Sequence, residues 1–364
     1  SPTLDVVAWA LHYLGSFTLD FLIEYGLFLA KSVTVLVAIL IVIIVLVGTS
    51  QRQRESISGN IEVKNLNDAL KAVTMNLKHA VLSPERQKVE EKAEKKQSKE
   101  KQKTEKHDAK AGEKIKPRLF VIDFNGDVQA SQVSGLREEI TAVLSIAEST
   151  DEVLVRLESP GGVVFGYGLA ASQLQRIRNQ SVPLTVAVDK VAASGGYMMA
   201  CIADKIIAAP FSMLGSIGVV AQIPNFHRLL KKNEIDVEIH TAGEYKRTLT
   251  MFGENTDKAR EKFGDELDDV HTLFKEFVSQ NRPVVDIDNV ATGEAWFGTR
   301  ALERKLVDEL RTSDEYIIEQ CAERDVFLVS YVVHKNKIDQ LFERVVRLTG
   351  ASKFHHSIPE TYIQ

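Results

Sequence analysis

The stretches RLFVIDFNG, DEVLVRLES and PLTVAVDK are β-type runs, each closed by a turn or a loop of small residues. Between them lie VSGLREEITAVLSIAE and GYGLAASQLQRIRNQ, which read as helices. The alternation continues with a helix at YMMACIAD, a strand at KIIAAP, a short helix at NFHRLLKKN and a strand at VEIHTAG. A long charged helix spans Asp257 to Gln280, and VFLVSYVV near the C-terminus reads as a strand before an amphipathic helix and a loose tail. Strands alternating with helices predict an α/β fold with a largely parallel sheet.

That region begins at Pro117, where composition changes sharply. Residues 85–116 are rich in Lys and Glu with almost nothing apolar, a composition that predicts a solvated linker. Before it, Leu66, Leu70, Val73, Leu77 and Val81 recur at helical spacing, predicting an amphipathic helix from Asn60 to Leu82. That helix either self-associates or packs on the main domain. The divisions expected are 1–24, 25–48, a linker over 49–116, a main domain over 117–315, and a C-terminal strand, helix and tail over 316–364.

Ser32 to Gly48 carries no charge, and from Gly26 to Gly48 a helix would extend about 34 Å, enough to cross a hydrocarbon core of about 30 Å. Residues 25–48 are therefore expected to be an uncleaved transmembrane anchor, with Lys31 reaching toward the interface. The segment before it is apolar but interrupted by His12, Asp20 and Glu24, and Trp9, Tyr13 and Tyr25 suit an interfacial helix or a second, poorer span. Arg52 and Arg54 follow the span, which by the positive-inside rule points the large C-terminal part toward the cytoplasm. The formal net charge of −5 gives no sign of nucleic-acid binding. Cys201 and Cys321 form neither a disulfide framework nor zinc-ligand spacing, so no metal is expected.

Three small-residue loops follow strand-like runs: SPGG at Ser159–Gly162, ASGG at Ala193–Gly196 and GSIG at Gly215–Gly218. In a parallel sheet such loops gather on one edge, where sites form. Ser194 either caps the helix that follows or serves as a nucleophile. It is not in a G-x-S-x-G elbow, because Ala192 stands at the first glycine position, nor in S-x-x-K, because Tyr197 stands at the lysine. A nucleophilic serine needs a base. His227 and His240 are candidates without a supporting motif, and Lys246 in TAGEYKRTLT follows a strand-like run. A lysine works as a base only when neutral, which for an ordinary side chain demands about 4 kcal/mol from burial and neighbours.

ESPGG, DKVAASGGYMMAC, APFSMLGSIGVV, AGEYKR and ATGEAWFGTRALERKLVDEL occur in the order and spacing of the signal peptide peptidase SppA family. The resemblance covers roughly Arg118 to Asp314, and the layout of anchor and linker is most similar to the SohB branch. It implies a ClpP/crotonase-like fold of repeated ββα units. It also implies a membrane-anchored serine endopeptidase with a Ser–Lys dyad, acting through an acyl-enzyme without a cofactor. Ser194 matches the nucleophile, Lys246 the general base and Ser216 the residue that orients the lysine. Gly195 and one of Gly161 and Gly162 match the oxyanion-hole donors. Single-copy members resemble rings, so a homo-oligomer in the bacterial cytoplasmic (inner) membrane is implied, acting on peptides or small membrane-associated proteins. Family peptidase domains typically face outside, against the basic flank here, and the side stays open. The competing readings are a crotonase-type acyl-CoA enzyme and a membrane scaffold with a vestigial dyad.

Overall fold

The computed structural model describes residues 25–37, 59–83, scattered positions from 85 to 96, and 116–333. The chain divides into two units, one of Ser1–Gly59 with Val333–Gln364 and the other of Asn60–Val332. In the first, residues 25–37 form a helix, α1, with Leu27, Phe28, Leu29, Val33 and Leu36 exposed. The expected anchor over 25–48 runs on into residues outside the described set, as do the interfacial segment over 1–24 and the C-terminal amphipathic stretch. No described helix is long and apolar enough to cross a membrane.

The second unit is a mixed α/β fold. Strands β2 (Arg118–Asn125), β3 (Glu152–Glu158), β4 (Leu184–Val188) and β6 (Lys205–Ala208) run parallel at the centre of a seven-stranded sheet. Its order is β1-β10-β2-β3-β4-β6-β9, with β9 at Glu309–Leu310. β10 (Asp325–Val332) lies parallel to β2, and β1 (Asn60–Asn65) closes that edge antiparallel to β10. The buried middles of the central strands are apolar runs because both faces are covered there, as parallel sheets require, while Asp123 and Arg156 pair across β2 and β3 toward their ends. Phe120, Ile122, Val153, Val155, Leu184 and Val186 join one core with helices over Val133–Leu144 (α3) and Val164–Asn179 (α4). Leu119, Val121, Leu154 and Ala187 face Tyr316 and Ile317 of the helix Ser313–Glu323. Each such side chain contributes about 1.5–3 kcal/mol by leaving water.

Two buried carboxylates tie strands to their neighbours. Asp151 accepts from the backbone and guanidinium of Arg118 and from the Glu148 N–H. Glu139 of α3 accepts from the Tyr331 N–H of β10 at 2.7 Å.

The expected boundaries at 117 and 315 fall inside this sheet, since β1 and β10 lie beyond them. Residues 60–65 are a strand rather than the first turns of a helix, because Ile61 and Val63 alternate with polar residues and pair with Tyr331 and Val329. The helix α2 starts at Leu66 and ends at Val81, capped by the Asn65 side chain on the Asp68 N–H. Asn67 fastens its base to the carbonyls of Cys321 and Arg324 and to the Val326 N–H. VEIHTAG is not a strand: Val237 and Ile239 are exposed, and alternating residues without a neighbouring strand to bond do not build one.

Candidate active site

A second, three-stranded sheet grows from the end of β3. Its order is β5 (Val191–Ala193), β7 (Met213–Gly215), β8 (Ala295–Phe297). Ser159 bridges to Ala192, with its N–H on the Val191 carbonyl and its own carbonyl accepting from Ala193. β5 and β7 run parallel with Ala193 opposite Gly215. The chain leaves β5 through Ser194 into a six-residue helix, α5 (Gly195–Ala200).

Ser194 takes φ 52°, a sharp strand-to-helix turn that a non-glycine residue adopts only when its surroundings hold it there. Its N–H donates to the Gly215 carbonyl at 2.7 Å, and its own carbonyl accepts the first helical bond from Met198. The side chain makes no capping bond, so its hydroxyl is free of that duty. Ser216 follows Gly215 with φ 51°, its N–H on the Glu294 carbonyl at 2.6 Å.

The SPGG loop presses on this turn. At Gly161 (φ 94°) a Cβ would stand 2.7 Å from the Ser194 Cβ and 2.9 Å from the Gly195 nitrogen, so only glycine fits. The Gly161 N–H donates to Ser159 Oγ at 3.1 Å. The N–H groups of Gly162 and Gly195 have no hydrogen-bond partner among the described residues. Ser194, Ser216, Gly161 and Gly195 thus come together, with Gly162 one step along the loop.

Lys246 is not joined to them. It sits in the irregular stretch between Asn233 and Thr256, with its N–H on the Gly243 carbonyl at 3.2 Å and its side chain exposed. No hydrogen bond or ion pair links it to Ser194 or Ser216. Beside it, Glu244 pairs with Lys258 at 2.6 Å, and Lys258 and Lys262 lie over the Tyr245 ring. Lys190, the lysine nearest Ser194 in sequence, is held by Glu158 at 2.9 Å. His227 opens the short helix His227–Lys232, and His240 falls in the same irregular stretch as Lys246, paired with Glu238. Burial pushes the Cys201 thiol up to about 12, as befits an inert core residue.

Residues that sequence reasoning passed over also shape the site. The Ser159 side chain turns back on the Gly161 N–H of its own loop, Tyr167 lies under Gly195, and Trp296 lies against Gly215, where a Cβ would meet its ring at 2.8 Å. Ser159 stands in a quoted motif, whereas Tyr167 and Trp296 carry no signal beyond their apolar bulk.

Among the described residues no cluster of His, Cys, Asp and Glu could hold a metal ion. The arrangement is a serine hydroxyl beside backbone donors, at loops shared by two sheets. Comparison with known proteins agrees with that chemistry. The family descriptions "Peptidase family S49 N-terminal" and "Peptidase family S49" match residues 20–174 and 176–326. A "Probable protease SohB" of Haemophilus influenzae is 52% identical over 323 residues, covering 88% of this chain and 91% of that protein. A "Putative protease SohB" of Buchnera aphidicola is 44% identical over 335 residues, covering 90% and 96%. Among solved structures, the membrane-bound stomatin-specific protease 1510-N with a substrate peptide is 13% identical, with TM-score 0.39, covering 64% of this chain and 100% of that one. With matches along nearly its whole length, the chain belongs to peptidase family S49, the signal peptide peptidase SppA family, in its SohB branch.

Proposed function

We propose that the chain is a membrane-anchored serine endopeptidase in which Ser194 attacks a peptide carbonyl and Lys246 is the base, on a ClpP/crotonase-like fold. The observation that carries this reading is the Ser194 turn, with its hydroxyl committed to no cap and two unpartnered N–H groups nearby. Lys246 takes the Ser194 proton as Oγ bonds to the carbonyl carbon. The oxyanion is held by Gly195 and Gly162. Gly162 is preferred over Gly161 because the Gly161 N–H already serves Ser159. One such donor is worth about 3–4 kcal/mol. The lysine then gives its proton to the leaving amine, and water deprotonated by the same lysine releases the acyl group. Ser216, beside Ser194 at the strand ends, orients the amine.

An exposed lysine cannot be that base, so the reading requires assembly. The segment carrying Lys246 displays Val220, Leu229, Ile235, Met251 and Phe252 to solvent. A second copy covering it would remove water from the amine and complete the site. Residues 25–48 would anchor the homo-oligomer in the bacterial cytoplasmic membrane, giving it access to peptides and small membrane-associated proteins.

The test is cleavage of an apolar fluorogenic peptide by the full chain in detergent. Ser194→Ala and Lys246→Ala should each lose activity while keeping the parent's thermal midpoint and size. Cleavage by both variants at the parent rate would overturn the dyad.

A further inference from the structure

Tyr167 lies one turn into α4, fully buried, between three loops. Its hydroxyl donates to the Asp127 carbonyl at 2.8 Å and lies 2.5 Å from Ser159 Oγ. A phenol has one proton, and a carbonyl can only accept. The Ser159 hydroxyl must therefore donate to Tyr167 Oη, leaving its lone pairs to accept from the Gly161 N–H. The bonds run one way: Gly161 N–H to Ser159, Ser159 to Tyr167, Tyr167 to Asp127. Every proton in the chain has a single destination.

The same side chain supports the other half of the site. A Cβ on Gly195 would stand 2.4 Å from Tyr167 Cγ and 2.8 Å from its Cβ, so the ring forms the floor under the residue after Ser194. A Cβ on Gly126 would stand 2.4 Å from the Tyr167 hydroxyl and 2.6 Å from Ser159 Oγ, so the loop after β2 closes over the chain as well. Phe124 meets the ring edge-on at 6.5 Å between centroids, fixing its plane. Phenylalanine would fill this volume without a buried hydroxyl, whose desolvation is costly unless every bond is made. Packing alone does not call for tyrosine. Burial pushes the phenol upward, so it stays a donor at neutral pH.

We infer that Tyr167 and Ser159 are positioning residues of the oxyanion hole, turning the Gly161 N–H inward so that Gly162 is left free while the ring sets the height of Gly195. The inference rests on Ser194 as nucleophile. Neither residue touches substrate. A displacement of either donor by about 1 Å is enough to slow a reaction by about 100-fold.

The experiment uses the full chain in detergent with Tyr167→Phe, Ser159→Ala, the double variant and Ser194→Ala. The readouts are kcat and KM on an apolar peptide, inhibition by a peptide aldehyde whose adduct carries the oxyanion, and binding of the uncleaved peptide to variants also carrying Ser194→Ala. Each is read at a fixed interval below that variant's thermal midpoint. Tyr167→Phe and Ser159→Ala should each lower kcat by about 10- to 100-fold and weaken the aldehyde by the same factor. KM and uncleaved-peptide binding should stay within about twofold, and the double variant should be no slower than the slower single one. Unchanged kcat in Ser159→Ala, or equal losses in peptide and aldehyde binding, would overturn the positioning role. If Ser194→Ala is inactive and Tyr167→Phe is not slowed, only the positioning role falls. Full activity in Ser194→Ala would remove the nucleophile reading and this one together.

Discussion

Ser194 and Ser216 are counterparts: each follows one member of the Ala193–Gly215 pair of two parallel strands, and each turns at φ close to +51°. The Ser194 N–H on the Gly215 carbonyl locks the two turns together. Parallel strands hold such positions about 4.8 Å apart, within reach of one shared amine. Positive φ at a residue with a side chain costs about 1–3 kcal/mol, at Ser194 in a sparsely populated region with ψ −119° and again at Ser216.

Ser216→Gly tests whether that strain serves the reaction. Glycine relieves the turn but loosens the unfolded chain, so stability in urea should change by less than about 1 kcal/mol. The hydroxyl is lost, and kcat should fall by at least about tenfold. A parent-like kcat would mean that the Ser216 hydroxyl does not orient the base.

Gly161→Ala should be far more damaging than its one methyl suggests. The new Cβ would stand 2.7 Å from the Ser194 Cβ and 2.8 Å from the Ala193 carbonyl, at φ 94°. Peptide cleavage should drop by more than about 100-fold with a loss of about 2 kcal/mol in urea titration.

Asp151 and Glu139, both buried, should respond to pH with opposite signs. Burial pushes Asp151 upward, but the bonds from the Arg118 guanidinium and backbone and from the Glu148 N–H outweigh it and hold the carboxyl below its ordinary value. Its contribution is present above the unfolded value, about 3.9, and lost as pH falls through the lower folded one. Asp151→Asn should therefore cost about 3 kcal/mol at pH 7, a gap that closes in acid. Burial pushes Glu139 upward, more than its bond from Tyr331 pulls it down. The folded chain thus binds that proton more tightly, and stability from this group rises as pH falls through its folded value. Glu139→Gln should stabilise by up to about 1 kcal/mol at pH 7 and make no difference below about pH 4. Urea midpoints from pH 3 to 8 check both.

Val220 is 91% exposed and Phe211 83%, and the proposed assembly would cover such side chains. Val220→Asp should leave the urea midpoint within about 0.5 kcal/mol while sedimentation shifts to the monomer and cleavage disappears. An unchanged sedimentation profile would put the subunit contact elsewhere.

The central strands were legible because burial on both faces leaves continuous apolar runs that no helix of that length explains. β1 was not, since NIEVKN is six residues of alternation running straight into the helical spacing that begins at Leu66. VEIHTAG shows the reverse error, because alternation says nothing about whether a partner strand exists. At the site, the glycine loops were visible as motifs, but that the Gly161 N–H is taken by Ser159 while that of Gly162 is not was beyond the sequence. Tyr167 was hidden for a related reason. An aromatic in VVFGYGLAA reads the same whether its hydroxyl meets water or a carbonyl 40 residues away. Lys246 was singled out by the AGEYKR motif, and a motif says nothing of separation in space: the fold leaves its side chain exposed and unbonded to Ser194.

β10 lies between β1 and β2, so the last strand of the sheet must be inserted between two that are made much earlier. Among the described strands, residues 60–65 pair only with residues 327–332. A ribosome adding about 5–20 residues per second leaves β1 waiting on the order of tens of seconds for its neighbour. Through that interval Ile61 and Val63 form an unpaired edge, open to pairing with another nascent chain. The sheet therefore closes only once Val332 has been made, and a stop codon just before Asp325 would remove one strand and orphan another.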